Sequence, residues 1–306
     1  MKLKLRSINN PSITIQSLML FTLGFCLIST QAISADASPD NQAKTLSSKY
    51  TELSKQLNDN QFDRPLYLNS TESPNNLKGE IYAVIHHPFN KVNTALNNPD
   101  HWCDVLILHL NIKFCQVARQ NNDTSLNVNL GKKYDQPLED TSRVEFNYRQ
   151  MASSADYFAI QLKAEEGPLG TSDYRIMIEA TPLKDGQTFL HFTYTYSFGL
   201  SGRLAMKTYL ATIGRDKVGF TTTDKHTNAK PDFIQGVRGV VERNTMRYYL
   251  AIDAYLATLD MPADSFPEKR FKLWYINSES YARQLHEVEQ EEYMTMKRKE
   301  YKRQNS

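Results

Sequence analysis

Between Leu126 and Phe198 one pattern recurs five times: apolar residues at every second position, interrupted by short polar links. LNVNLGKKY (126–134) places Leu126, Val128 and Leu130 on one side, and RVEFNYR (143–149) does the same with Val144, Phe146 and Tyr148. YFAIQLKA (157–164) uses Phe158, Ile160 and Leu162, and DYRIMIEA (173–180) uses Tyr174, Ile176 and Ile178. QTFLHFTYTYSF (187–198) uses Leu190, Phe192, Tyr194, Tyr196 and Phe198. Successive side chains on a strand point to opposite faces, so this period predicts antiparallel strands with one apolar face and one solvated face. The Asp-Gly of LKDGQT (183–188) predicts a tight hairpin. A further strand is predicted over KGEIYAVIHHP (78–88), stopping at Pro88, and another from His109 onward.

About seven such strands leave an apolar face that needs a cover. VRGVVERNTMRYYLAIDAYLATLD (237–260) supplies it: Val241, Thr245, Tyr248, Ile252, Tyr255 and Leu259 recur at helical spacing as an aromatic-rich stripe. FNKVNTALNN (89–98) predicts a shorter helix through Val92 and Leu96, and AKTLSSKYTELSKQL aligns Leu46, Tyr50, Leu53 and Leu57 on one face. NSTESPNN (69–76) reads as a loop. The expected fold is therefore α+β: a curved antiparallel sheet of about seven strands wrapped on a long C-terminal helix, with extra terminal helices.

The first residues carry a different signal. Lys2, Lys4 and Arg6 precede an apolar run from Ser17 to Ile28, and Ala35-Asp36-Ala37 offers a cleavage site of small residues. This reads as a secretory signal peptide over 1–37, too short and broken for a comfortable membrane span. A retained N-terminal anchor is the alternative. The expected location is periplasmic or secreted. The formal charge of +2 falls to about neutral once the three leading basic residues are removed, which gives no footprint for nucleic acid.

Cleavage also removes Cys26 and leaves Cys103 and Cys115 in an oxidising compartment, where an even count favours a disulfide. Zinc wants about four ligands, and no Cys-x-x-Cys or paired-His spacing is present. Two free buried thiols are the next reading. A single strand would hold the two cysteines ~40 Å apart at ~3.3 Å per residue, whereas a disulfide needs Cα atoms within ~7 Å. The chain is therefore expected to turn back between them, with a helical turn from Pro99 to about Ile107.

The order strand, short helices, strands, long C-terminal helix resembles the START-like, or SRPBCC, helix-grip superfamily. In that family the first strand ends at a turn of the form hydrophobic-Pro, and a helix with a V..aL.d...w pattern follows. HHPFNKVNTALNNPDHW (86–102) has Pro88, Val92, Leu96 and Trp102 in those places. The resemblance covers roughly 78–260 and is narrower still to START-like secreted proteins of Gram-negative bacteria, which lend no activity. The domain division it implies is 38–77 as N-terminal helix and linker, 78–262 as the helix-grip domain and 263–306 as a charged helical tail. One departure is the insert 199–236, where the family pattern runs almost directly into the long helix. GLSGRLAMKTYLATIG (199–214) predicts a helix with Leu204, Tyr209 and Ile213 available to pack, and 217–236 suggests a hairpin; together they could act as a lid or cover a sheet edge.

Candidate ligand-binding residues are Tyr194, Tyr196, Arg238, Glu242, Thr245 and Tyr248. The tyrosines lie on the apolar faces, and Arg238 with Glu242 would hold the head of an amphiphile at the end of an aromatic hollow. A structural ion pair at the helix N-terminus is the preferred reading of Arg238 and Glu242. Arg243 and Arg247 are assigned to the outer, solvated side. His86 and His87, adjacent on a strand, would face opposite ways, so at most one could join His109 at a metal. No cofactor motif and no catalytic set is legible.

The tail places Glu287, Glu289, Glu291 and Glu292 before Lys297, Arg298, Lys299, Lys302 and Arg303. A solvated helix docked through Trp274 and Tyr275 is expected, with self-association through the opposed charge blocks as a further possibility. The leading expectation for function is a binding or carrier module for a hydrophobic or amphipathic small molecule such as a lipid, with peripheral membrane contact conceivable. An enzyme acting on a hydrophobic substrate in the same cavity is one rival. A cavity-free interaction protein working through its C-terminal helix is the other.

Overall fold

The computed structural model describes residues 38–212, 214–227, 230–262 and 265–306. The expected signal peptide with Cys26 lies outside the described residues, as does Ile213. Residues from Ala37 to Ser306 form one compact unit. In chain order the elements are α1 (Pro39–Glu52), α2 (Ser54–Asn58), β1 (Leu66–Glu72), β2 (Asn76–Ile85), α3 (Phe89–Leu96), α4 (Trp102–Leu106), β3 (Ile112–Gln120), β4 (Asp123–Leu130), β5 (Ser142–Ser153), β6 (Phe158–Glu166), β7 (Thr171–Pro182) and β8 (Thr188–Phe198). There follow α5 (Leu200–Ala211), a hairpin of β9 (Thr222–Thr227) and β10 (Lys230–Phe233), α6 (Gly236–Leu256), α7 (Phe266–Glu279), α8 (Ala282–Leu285) and α9 (Gln290–Gln304).

The main sheet has eight strands in the order β1-β2-β8-β7-β6-β5-β4-β3, and every pairing is antiparallel. The meander from β3 to β8 follows the alternation in the sequence. Leu126, Val128, Val144, Phe146, Ile160, Leu162, Ile176, Ile178, Leu190 and Phe192 are all buried in one core. The connection through α3 and α4 sends β3 to the far edge, so β8 returns beside β2. Helix α6 lies across β1, β2 and β8. It crosses β2 where that strand has no side chain: a Cβ on Gly79 would lie 2.1 Å from the Thr245 hydroxyl.

Several expectations need correction. The eighth strand is β1, whose Leu66, Leu68 and Ser70 are buried in alternation; its residues 69–72 fall within the expected loop 69–76, because Asn, Ser and Thr mask that period. β2 ends at Ile85, so His86 and His87 sit in a bend and the opposite-faces argument does not apply to them. The outer sheet face is only partly solvated. Ala43 and Leu46 of α1, Leu53 between the helices and Leu57 of α2 pack there against Tyr82, Val84, Tyr157, Ala159 and Phe189.

The C-terminal segment is not a solvated appendage. Trp274 and Tyr275 dock as expected, but Tyr293, Met294, Met296, Lys297 and Glu300 of α9 are buried as well. The Trp274 and Tyr293 rings stack at 4.9 Å. α7 and α8 cover the side of α6 that faces away from the sheet, and α9 packs on α7 and β3, so α6 is buried almost all round. The chain reversal between the cysteines is present: a 3-10 turn at Pro99–His101 leads into α4, and β3 starts at Ile112. Cys103 and Cys115 form a disulfide with Cα atoms 5.2 Å apart. Asp104 on α4 pairs with Arg270 on α7 at 2.8 Å, and the Arg270 guanidinium lies over the Tyr255 ring of α6 at 4.3 Å. The disulfide-bonded helix is thereby tied to the helical layer as well as to the sheet.

Candidate functional site

A two-lobed cleft opens between α6, the ends of β7 and β8, and the inserted helix α5. The first lobe, about 270 Å³, has Tyr174, Tyr194 and Tyr196 on its sheet side and Ala205, Met206 and Tyr209 of α5 across from them. The second, about 410 Å³, runs toward β4 and is walled by Phe146, Tyr248 and His109. Asn111, Pro168, Leu169, Tyr174, Tyr194 and Asn244 border both lobes, so the two are continuous in their lining. Strand alternation explains the tyrosines. Tyr194 and Tyr196 are two residues apart on β8, and Tyr174 on β7 stacks on Tyr196 at 5.3 Å. Tyr248 reaches down from α6 to within 5.2 Å of the Tyr194 ring.

These rings are buried, yet their polar tips are not consumed by the fold. Tyr174 donates to Thr171 Oγ1 at 2.8 Å. The hydroxyls of Tyr194, Tyr196 and Tyr248 have no protein hydrogen-bond partner among the described residues. Burial raises all three above the ordinary tyrosine value, so each hydroxyl stays protonated and can donate into the cleft. An apolar wall carrying a few convergent polar atoms is the usual make-up of a small-molecule site.

The other wall is cationic. Arg243 and Arg247 of α6 are each 1% exposed and line the first lobe. Their assignment to a solvated side fails because α5 and the segment after α8 cover that side of the helix. Arg247 donates to Glu287 Oε1 at 2.7 Å, and the same carboxylate takes Lys133 at 2.5 Å and Lys217 at 3.3 Å. Arg243 donates to the Val218 carbonyl at 3.1 Å and to the Tyr209 hydroxyl at 3.4 Å. Burial, followed by the neighbouring Arg247, pushes Lys133 down to about 8.

His109 borders the second lobe and stacks on Tyr248 at 4.5 Å. Its Nδ1 accepts the Asn111 backbone N–H at 3.1 Å, which leaves the proton of the neutral ring on Nε2. Burial, then Arg247 and the lysines Lys297, Lys133 and Lys113, hold this imidazole well below its ordinary value. Nε2 is buried without a partner. Among the described residues no group of three or more His, Cys, Asp or Glu is placed to hold a metal.

Of the residues singled out from sequence, Tyr194, Tyr196 and Tyr248 meet at the cleft, while Arg238, Glu242 and Thr245 line neither lobe. Glu242 is fully buried and accepts four hydrogen bonds: from the Ser70 hydroxyl at 2.5 Å, the Phe220 N–H at 2.6 Å, and the Thr221 N–H and hydroxyl at 2.9 and 2.6 Å. It clamps β1 and the loop before β9 onto α6. Arg238 stands 4.0 Å from it, donates to Ser70 Oγ at 3.0 Å and faces a surface groove beside Glu72 and Arg203. Thr245 donates to the Val241 carbonyl at 2.7 Å and marks the crossing over Gly79. The sequence reading missed Arg243, Arg247, Lys133 and Asn111 as site residues. Arg243 and Arg247 do carry a signal, since they sit one turn apart beside Val240 and Asn244. Whether that face meets solvent or a wall depends on α5 and the tail.

No family model and no curated protein matches the sequence. Solved structures do align. Human StAR-related lipid transfer protein 5 matches at 7% identity, covering 72% of this chain and 97% of its own, with a TM-score of 0.34. Ara h 8.0201 matches at 11%, covering 63% and 99%, with a TM-score of 0.33. Norcoclaurine synthase from Thalictrum flavum matches at 11%, covering 45% and 86%, with a TM-score of 0.32. The topology decides the architecture: β2 beside β8, a six-strand meander, and one long helix across the inner face. The fold is a helix grip. What sets this chain apart within that plan is the insert, from which α5 walls the cleft, and the C-terminal helices packed behind α6.

Proposed function

We propose that this helix grip binds a hydrophobic or amphipathic small molecule in the cleft between α6, α5 and the tyrosine face of the sheet. The observation that carries the reading is the set of buried tyrosines whose hydroxyls have no partner in the fold and open on the cleft. Structural burial alone would have matched each hydroxyl with a protein acceptor. The volumes suit a single-chain or few-ring ligand. Export by the N-terminal leader to the periplasm or beyond belongs to the same proposal, and the Cys103–Cys115 bond supports an oxidising compartment.

The rival reading, an enzyme with Arg238, Glu242 or a tyrosine hydroxyl as its polar agent, keeps only the tyrosine hydroxyls, because neither Arg238 nor Glu242 lines the cleft. The cavity-free reading meets a formed cleft and a tail already packed into the core.

Native mass spectrometry of the protein gently extracted from its source cell tests the proposal directly. A bound species, lost in Ala205→Trp, is the expected result, since that indole would fill the first lobe from α5. Repeatedly empty protein that also takes up no fluorescent apolar probe would overturn the reading.

A further inference from the structure

Arg243 and Arg247 sit at i and i+4 on α6, and both line the first lobe. Like charges at that spacing repel along a helix, and burial strips both of water. Lys133, on the loop after β4, adds a third cation to the same wall, and Lys217 stands behind it. Among the described residues a single carboxylate, Glu287, pairs with this group, taking Lys133, Lys217 and Arg247 together. Arg243 has no carboxylate in ion-pair range among the described residues; its hydrogen bonds go to a neutral carbonyl and a neutral hydroxyl. Arg247 also keeps a buried Nε that nothing accepts from. Asn111 and Asn244 add amide groups beside them. The wall is therefore short of negative charge, and a guanidinium fork matches the planar oxygens of a carboxylate or phosphate.

We infer that the ligand is an amphiphile with an anionic head, a carboxylate or phosphate, seated at Arg243 and Arg247 with Lys133 beside it, and with its apolar body against Tyr174, Tyr194 and Tyr196. This rests on the binding reading above and names the chemical class that the site selects. The tyrosines come from the sheet and the guanidiniums from α6, so head and body are addressed by different elements that line the same lobe.

Four probes of equal chain length separate the two readings: dodecanoate, dodecyl phosphate, dodecanol and dodecylamine, each titrated calorimetrically below its aggregation limit. The two anions are expected to bind at least tenfold more tightly than dodecanol, with dodecylamine weakest. Arg243→Gln is the informative variant, because its removal strands no carboxylate. It should erase most of the anions' advantage and leave dodecanol binding unchanged, which also shows that the cleft is intact. Arg238→Gln, outside the cleft, should change none of the four. Equal affinity for dodecanol and dodecanoate, insensitive to Arg243→Gln, overturns the anionic head while leaving the binding reading standing. Failure of all four probes removes the binding reading itself and this inference with it. Inorganic phosphate titrated alone distinguishes the free ion from the lipid-like ligand. Weak or absent binding supports the amphiphile, and binding as tight as that of dodecyl phosphate overturns it in favour of a bare-anion site.

Discussion

Lys113 on β3 and Glu300 on α9 are both fully buried and lie 3.0 Å apart, a charge pair that joins the edge of the sheet to the last helix of the chain. Lys297, one turn earlier on α9, also pairs with Glu300 at 2.7 Å and donates to the carbonyls of His109 and Ile112 at 2.8 and 3.0 Å. The Tyr293 hydroxyl donates to the Leu108 carbonyl at 2.9 Å. The last helix thus supplies donors to backbone carbonyls of the 108–112 turn, adding to the Ile112 N–H that already reaches the His109 carbonyl. Glu300→Ala would leave two buried ammonium groups without their carboxylate and is expected to lower stability by about 3–5 kcal/mol. Ending the chain before Gln290 should be worse, giving insoluble protein or a loss of cooperative melting. Differential scanning calorimetry checks both; a truncated chain that melts like the full one would return α9 to the status of an appendage.

The disulfide closes a short loop between α4 and β3. In the chain-entropy picture it stabilises by about 3 kcal/mol, which for a domain of this size is a melting shift of roughly 6–12 °C. Replacing both cysteines by serine should lower the melting temperature by that order under oxidising conditions and leave the wild-type value in reducing buffer nearly matched. Ligand preference should not change, because neither cysteine lines the cleft.

At Gly79 the backbone of β2 leaves no room for a side chain beside Thr245 of α6. Even the methyl group of Gly79→Ala would meet the Thr245 hydroxyl, so α6 must lift or Thr245 must leave its place. A loss of about 1–3 kcal/mol is expected from such overpacking. Thr245→Ala removes the clashing hydroxyl and should recover part of the loss in the double variant. Chemical denaturation of the two single variants and the double gives the coupling, and strict additivity would mean that the contact is not close.

On the outer sheet face His191 stands between two carboxylates, with Nδ1 2.7 Å from Glu179 and Nε2 3.1 Å from Glu80, and its ring stacks on Tyr82 at 4.0 Å. Burial works against the charged forms here, but hydrogen bonds from His191, Lys78 and Asn69 overcome it and hold Glu80 at about 2. The two carboxylates likewise outweigh burial at His191 and raise its value. Glu80 titrates lower in the fold than outside it, so its contribution is full above about 4.5 and is lost as the pH falls toward 2. His191 titrates higher in the fold, so its contribution is full below 6.5 and is lost as the pH rises through the raised value. The stabilisation that His191→Gln removes should therefore peak between about pH 4.5 and 6.5 and shrink on either side. Melting temperatures of wild type and variant across pH 3–9 measure it, and a pH-independent difference would contradict the assignment.

The strands β2 to β8 and the helix α6 are legible in local spacing, whereas β1 is not. A period of two over Leu126–Phe198 leaves little freedom about which face is buried, because a one-residue slip would expose every apolar side chain at once. The stripe Val241–Tyr255 and the turn at Pro88 likewise depend on local spacing alone. Tyr194, Tyr196 and Tyr248 were legible for the same reason, since each lies on a face that its own element defines. The polar half of the site follows from packing between distant segments. Arg243 and Arg247 look solvated on an isolated helix and become a cavity wall because α5 and the segment after α8 cover that side. Glu242 looks available and is consumed by four donors from β1 and the 220–221 loop. The fate of a charged side chain is set by which distant segment takes away its water, and no local period encodes that.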